Sequence, residues 1–298
     1  MKILLATDGS EYSERAARFL RCLDFSPEDE IMVFHAVSWI PFLYDKESYF
    51  NTLKEIKKDI SPRILDSALD ILKPVRAKIS TAIVEGAAEQ GIKEAAEESG
   101  VELIVMGARG IKGIKSLIIG SVTKSVAIHS QRPVLVVKAP TCEESGSIRI
   151  LFAADGSDYC NAAGEFLSEI PFRVDAELTI LNVVWSDFSD IPERFVMEIN
   201  ERIKDVVAKK RSEEFSDSER LLEHARILLS KRFKNIHLLT RVGDPSAEIL
   251  KTAEAIDAHM IAVGCRGLSG IKGLMGSVSR NIVTHAKSSV LIGKACKG

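Results

Sequence analysis

Long apolar runs are missing from this sequence. No stretch approaches 18 uninterrupted apolar residues, and Met1-Lys2 is followed by only four, Ile3 to Ala6, before Asp8. Neither a membrane span nor a secretory leader fits such lengths, so the expectation is a cytoplasmic chain with no membrane partner. Aromatic residues are scarce, at 6%. The cores must then be built from Val, Ile, Leu and Ala, as in strands covered by helices on both faces. An excess of one charge is also lacking: 40 Lys and Arg stand against 42 Asp and Glu. Nucleic-acid binding needs a basic face that displaces counterions, so no nucleic-acid partner is expected. The five cysteines (Cys22, Cys142, Cys160, Cys265, Cys296) form no C-x-x-C pair and show no metal-like spacing with His. They are expected to be thiols in a reducing compartment, with no metal site. Neither a G-x-x-x-x-G-K-[ST] string nor a G-x-G-x-x-G string occurs, which disfavours a standard P-loop or dinucleotide fingerprint.

What is present is a repeat. Lys2-Ile-Leu-Leu-Ala-Thr-Asp-Gly-Ser10 recurs as Arg149-Ile-Leu-Phe-Ala-Ala-Asp-Gly-Ser157, and Val33-Phe-His-Ala-Val37 as Ile180-Leu-Asn-Val-Val184, both 147 positions on. Ile104-Val-Met-Gly-Ala-Arg-Gly110 recurs as Ile261-Ala-Val-Gly-Cys-Arg-Gly267 after 157, and Gly120-Ser-Val-Thr123 as Gly276-Ser-Val-Ser279 after 156. The second copy has therefore gained about ten residues in its middle and lost one inside its glycine-rich stretch. A period this long means domains with their own cores rather than a solenoid. Domains are expected over 1–140 and 147–298, joined by the polar stretch Ala139 to Ser147.

Within the first copy, strands are predicted at Ile3–Thr7, Ile31–Val37, Lys78–Val84, Leu103–Met106 and Val134–Val137. Helical patterns lie between them, near Tyr12–Cys22, Leu53–Leu72, Ala88–Ser99 and Val122–Ser130. Apolar strands alternating with helices argue for βαβ units and a parallel sheet. The second copy repeats the scheme, with a longer charged helical region from about Pro192 to Arg232.

Three features converge in each copy. The turn Asp8-Gly9-Ser10, with Asp155-Gly156-Ser157, sits at the carboxyl end of the first strand, where open α/β sheets bind ligands; a capped turn alone would look the same. The array Gly107-x2-Gly110-x9-Gly120-Ser121 follows an apolar strand and opens a helix, whose unpaired N–H groups suit an anion. A glycine loop with a Ser cap is the plainer reading. His35-Ala36-Val37 and Asn182-Val183-Val184 end the second strand, where a backbone edge could meet a flat ring. His35 aligns with Asn182, so its imidazole reads as a satisfied buried group rather than a base. His129 and His285 align near helix ends, where capping of carbonyls accounts for them.

Together with Val84-Glu-Gly86 and Pro133-Val-Leu-Val-Val137, these motifs resemble a universal stress protein domain, twice, over almost the whole chain. That resemblance implies an α/β fold with five-stranded parallel sheets in the order 3-2-1-4-5, helices on both faces, and pairing of domains through the last strand. It also implies ATP or AMP as ligand, with or without magnesium. By it, Asp8 and Gly107 would hold the ribose, Ala6, Ala36 and Met106 the adenine, and Gly110, Gly120, Ser121, Val122 and Thr123 the phosphates, with Arg109 beside them. The second copy matches at Ala153, Asp155, Val183, Val263, Gly264, Gly267, Gly276, Ser277, Val278 and Ser279. Eight residues, not nine, separate Gly267 from Gly276, which could tilt the phosphate loop.

The expected function is an adenine-nucleotide-dependent stress-response module, with the copies packed as a pseudo-dimer and two chains able to pair again. A slow ATPase or adenylate-transfer enzyme is an alternative, but no catalytic pair is evident. A nucleotide-free dimerisation scaffold is another. Gly110→Val or Gly120→Val is expected to abolish binding at the first site with folding retained.

Overall fold

Along the central strands successive side chains are buried on opposite faces, the period-2 pattern of a sheet sandwiched between helices. Ile3 and Leu5 join one hydrophobic cluster, Leu4 and Ala6 the other. The computed structural model describes residues 1–38, 47–110, 119–138, 147–185, 201–268 and 275–294. The expected linker, except for Ser147, lies outside these, as do Cys142, Cys296 and the Pro192–Asn200 part of the long helical region.

The first copy runs β1 (Lys2–Ala6), α1 (Glu11–Leu20), β2 (Glu30–Val37), α2 (Glu47–Leu72), β3 (Lys78–Glu85), α3 (Ala88–Glu98), β4 (Leu103–Gly107), α4 (Ser121–His129) and β5 (Val134–Val137). The second runs β6 (Arg149–Ala153), α5 (Asp158–Glu169), β7 (Glu177–Val184), α6 (Glu201–Leu229), β8 (Asn235–Val242), α7 (Pro245–Ala255), β9 (Met260–Gly264), α8 (Ser277–His285) and β10 (Ser289–Gly293). Each copy has the expected order 3-2-1-4-5, with all pairings inside it parallel.

The two sheets are one. β5 and β10 pair antiparallel, Leu135 opposite Leu291, and the ten strands run β3-β2-β1-β4-β5-β10-β9-β6-β7-β8. The edge that the resemblance assigns to domain pairing is thus used within the chain. The remaining edges are β3 and β8, most of whose residues are exposed. A second join lies on one face, where Leu23 and Phe172 form an antiparallel bridge and the Asp24 N–H donates to the Pro171 carbonyl at 2.7 Å.

The Asp-Gly-Ser turns show local chemistry shaping the chain. Gly9 and Gly156 have φ of +77° and +75°, a conformation that L side chains rarely adopt. Ser10 and Ser157 cap α1 and α5, accepting from the N–H of Ser13 and Cys160. Ser157→Ala should lower stability by about 1 kcal/mol, read as an earlier urea midpoint with an unchanged slope.

The cysteine expectation is corrected at one position. Cys22 is disulfide-bonded. Local spacing could not reveal this, because a disulfide is set by spatial proximity and not by separation along the chain. Cys160 and Cys265 are buried thiols, and burial pushes Cys160 up to about 11, far from a reactive thiolate. Lys209, Lys210 and Arg211 lie exposed along α6, a solvated helix face.

Candidate functional site

The first strand of each copy ends beside the glycine array because β1 pairs with β4, and β6 with β9. In the second copy this junction forms a cavity of about 410 Å³. Its walls include all ten expected residues: Ala153, Asp155, Val183, Val263, Gly264, Gly267, Gly276, Ser277, Val278 and Ser279. Leu181, Ile249 and Met275 extend the apolar side. The volume is in the range of small-molecule sites. In the first copy Ala6, Asp8, Ala36, Met106, Gly107, Arg109, Gly110, Gly120, Ser121, Val122 and Thr123 occupy the equivalent places, but residues 111–118 of its array lie outside the described part.

One end of the cavity is polar for a backbone reason. Gly276 precedes α8 and offers no side-chain cap, as Gly120 does before α4, whereas α1, α5 and α7 are capped by Ser10, Ser157 and Asp244. The first intrahelical donor is Arg280, to the Gly276 carbonyl. The N–H groups of Ser277, Val278 and Ser279 therefore have no helical acceptor and carry the positive end of the helix dipole. Lys124 bonded to Gly120 gives α4 the same arrangement.

Missing one residue does not change how the second array closes. The Gly120 N–H donates to the Ala108 carbonyl at 2.8 Å, and the Gly276 N–H to that of Cys265 at 2.9 Å. The described ends of the two arrays are joined by the same bond, and residues 269–274, where a tilt would lie, are outside the described part.

The glycines differ in what they do. A Cβ on Gly107 would lie 2.5 Å from the Tyr12 carbonyl carbon and oxygen, so this glycine lets α1 cross the end of β4. A Cβ on Gly110 would lie 2.4 Å from Asp8 Oδ2, and one on Gly267 2.7 Å from Asp155 Oδ2. Gly110 and Gly267 thus seat the carboxylates. Gly120 has φ −65° and ψ 152°, open to any residue, and its nearest Cβ contact would be at 3.4 Å. The expected Gly110→Val test is corrected accordingly: the valine would displace Asp8 before any ligand was met, so it does not isolate phosphate binding.

Side chains around the array are held in matched pairs. Asp8 Oδ1 accepts from the Ser10 N–H at 3.1 Å, and Asp155 Oδ1 from that of Ser157 at 3.0 Å. The Thr123 hydroxyl donates to the Gly107 carbonyl at 2.9 Å, and that of Ser279 to Gly264 at 2.6 Å. Both hydroxyls are buried and tie the helix to its strand, leaving the backbone N–H as the group that residue offers to an anion. His35 Nδ1 donates to the Thr7 carbonyl at 2.9 Å, and Asn182 Nδ2 to Ala154 at 2.7 Å. The shared requirement at this position is a buried donor, which either residue type supplies. His129 Nδ1 donates to the Ser125 carbonyl and His285 Nδ1 to that of Asn281, each four residues back inside its own helix rather than to the terminal carbonyls expected.

Arg109 and Arg266 do not simply face solvent. Arg109 Nη1 donates to the Tyr12 hydroxyl at 3.1 Å, with its guanidinium 5.3 Å from the ring centre. Arg266 repeats this on Tyr159, at 4.8 Å. The motifs do not point to these tyrosines, although they recur at the same 147-residue offset, two positions beyond the Asp-Gly-Ser turn. Among the described residues no group of three or more His, Cys, Asp or Glu could hold a metal, and no helix is long and apolar enough to cross a membrane.

The profile described as "Universal stress protein family" matches residues 1–138 and again 148–294. A universal stress protein of Methanocaldococcus jannaschii is 32% identical over 143 residues, 48% of this chain and 84% of that one. One of Mycolicibacterium smegmatis is 21% identical over 297 residues, 97% of this chain and 96% of its own. The crystal structure of a universal stress protein from Archaeoglobus fulgidus superposes with a TM-score of 0.65, at 24% identity, covering 98% of both chains.

Proposed function

Because this chain belongs to the universal stress protein family and carries its domain twice, we propose that each copy binds an adenine nucleotide, ATP or AMP. The observation that supports this best is the uncapped N-terminus of α8, which opens on a cavity with one apolar side and one carboxylate. Val183, Val263, Leu181 and Ile249 suit the faces of a flat ring. Asp155, which lines the same cavity, suits ribose hydroxyls as an acceptor-only group. The N–H groups of Ser277, Val278 and Ser279 suit phosphate oxygens. Magnesium accompanying ATP would be held mainly by those oxygens, with Asp155 the nearest carboxylate on the cavity wall.

Such a site acts by mass action. A ligand that binds only the folded chain stabilises it by about 2.7 kcal/mol at a hundredfold excess over its Kd. Occupancy by nucleotide would thus set the stability of this part of the molecule, the basis for a regulatory role in the stress response. The test is to denature chain purified without added nucleotide and quantify what is released by chromatography and mass. About two adenine nucleotides per chain would fit both copies binding. None released, followed by a silent titration with ATP and magnesium, would overturn the reading and leave the scaffold function in front.

A further inference from the structure

A helix leaves its last carbonyls without intrahelical donors, and a buried end must find them elsewhere. In α4 the Val126 carbonyl takes the Ser130 N–H, and the Ala127 and Ile128 carbonyls are among those left without an intrahelical donor. Lys294 Nζ reaches across from the end of β10 and donates to both, at 2.9 and 3.3 Å. In α8 the Ile282 carbonyl takes the Ala286 N–H. Lys138 Nζ, from the end of β5, donates to Val283 at 2.6 Å and Ala286 at 2.7 Å. Ala127 and Val283 stand 156 positions apart, as do Lys138 and Lys294. One acceptor of each lysine thus follows the internal symmetry, while the second differs (Ile128 in one copy, Ala286 in the other), and each copy supplies the cation for the other's helix end.

We infer that Lys138 and Lys294 are cross-domain positioning residues, each holding the anion-binding helix of the opposite copy. The inference takes from the proposed function that the N-termini of α4 and α8 meet phosphate. Each helix has nine residues, a rod of about 13 Å, so fixing one end constrains where the other presents its N–H groups. A cation at the C-terminus also complements the dipole whose positive end faces the ligand. Burial, with the positive charge of Arg109 adding to it, pushes the Lys138 ammonium down to about 8, and burial lowers Lys294 in the same direction. These are desolvated contacts, unlike the ion pairs on the exposed helix faces.

Each lysine is also tied to the array of its own copy. The Val137 carbonyl, just before Lys138, accepts from the Ala108 N–H at 2.9 Å, and Gly293, before Lys294, accepts from Cys265 at 2.9 Å. The glycine turn of one copy and the phosphate helix of the other are thereby attached to one residue.

The test is a crossed one on the full chain. Lys138→Met keeps the aliphatic stem and removes the donors. It should speed amide exchange in α8 and leave α4 unchanged, while Lys294→Met should do the reverse. With one site silenced by Ser121→Asp or Ser277→Asp, ATP affinity should fall about tenfold only at the site opposite the substituted lysine. Should Lys138→Met fail to fold, Lys138→Gln, with a shorter neutral donor, carries the same readout. Loss confined to the lysine's own copy, equal loss at both sites, or no change in exchange would overturn the inference. If the parent chain binds no nucleotide, the binding reading fails on its own, and the crossed exchange pattern still decides the role of the lysines.

Discussion

Ser277→Asp should abolish phosphate binding in the second copy while leaving the chain at least as stable as its parent. The two effects share one cause. Gly276 gives α8 no side-chain cap, so the N–H groups of its first turn are open to an anion. A carboxylate at the first helical position supplies that anion permanently, and favours the helix by about 0.3–1 kcal/mol. The same charge then faces any incoming phosphate. At about 4 Å and an effective dielectric near 20, one pair of like charges costs roughly 4 kcal/mol, close to three decades of affinity. Ser277 is exposed and lines the cavity, so the substitution disturbs no core packing. Calorimetric titration with ATP, in a background where Ser121→Asp has silenced the first copy, reads the loss. Urea unfolding of the same sample reads the retained stability. Unchanged affinity would mean that phosphate does not meet α8.

Gly107→Ala should destabilise the chain by about 1–3 kcal/mol, and by more if α1 cannot shift, with nucleotide affinity falling only as folded protein is lost. The added Cβ would meet the Tyr12 carbonyl carbon and oxygen at 2.5 Å and the Ser13 nitrogen at 2.8 Å. These are backbone atoms of a capped helix, and no rotamer change moves them aside. Gly264→Ala should repeat the effect more mildly, since its Cβ would lie 2.9 Å from Tyr159. Gly120→Ala is the control: its dihedral angles suit alanine and its nearest contact is at 3.4 Å, so folding should persist. Thermal unfolding of the three variants without nucleotide separates the roles. Equal losses at Gly107 and Gly120 would contradict the assignment of Gly107 to helix packing.

That distinction shows where reading by motif stops. The array reads as one object in the sequence, G-x2-G-x9-G, and the resemblance assigns its glycines to ribose and phosphate. In the folded chain Gly107 clears a helix, Gly110 clears a carboxylate, and Gly120 opens a helix without a cap. A spacing records that side chains are excluded at three places, and not what excludes them. His35 and Asn182 make the complementary point. Two different residue types look like a lapse in the repeat, yet both donate to the carbonyl of the residue after the first strand.

The sequence by itself determined the repeat, the alternation of strands and helices, the order of strands through the family resemblance, and the residues that gather at the second cavity. These follow from periodicity and from turn and cap chemistry, which act over a few residues and so are written locally. Only the tertiary structure decided that Tyr12 and Tyr159 seat the arginines and that Cys22 is bridged. It alone placed Lys138 and Lys294 on each other's helices, more than 140 positions away along the chain. Such contacts depend on how two packed domains meet, and no period in either copy encodes that distance.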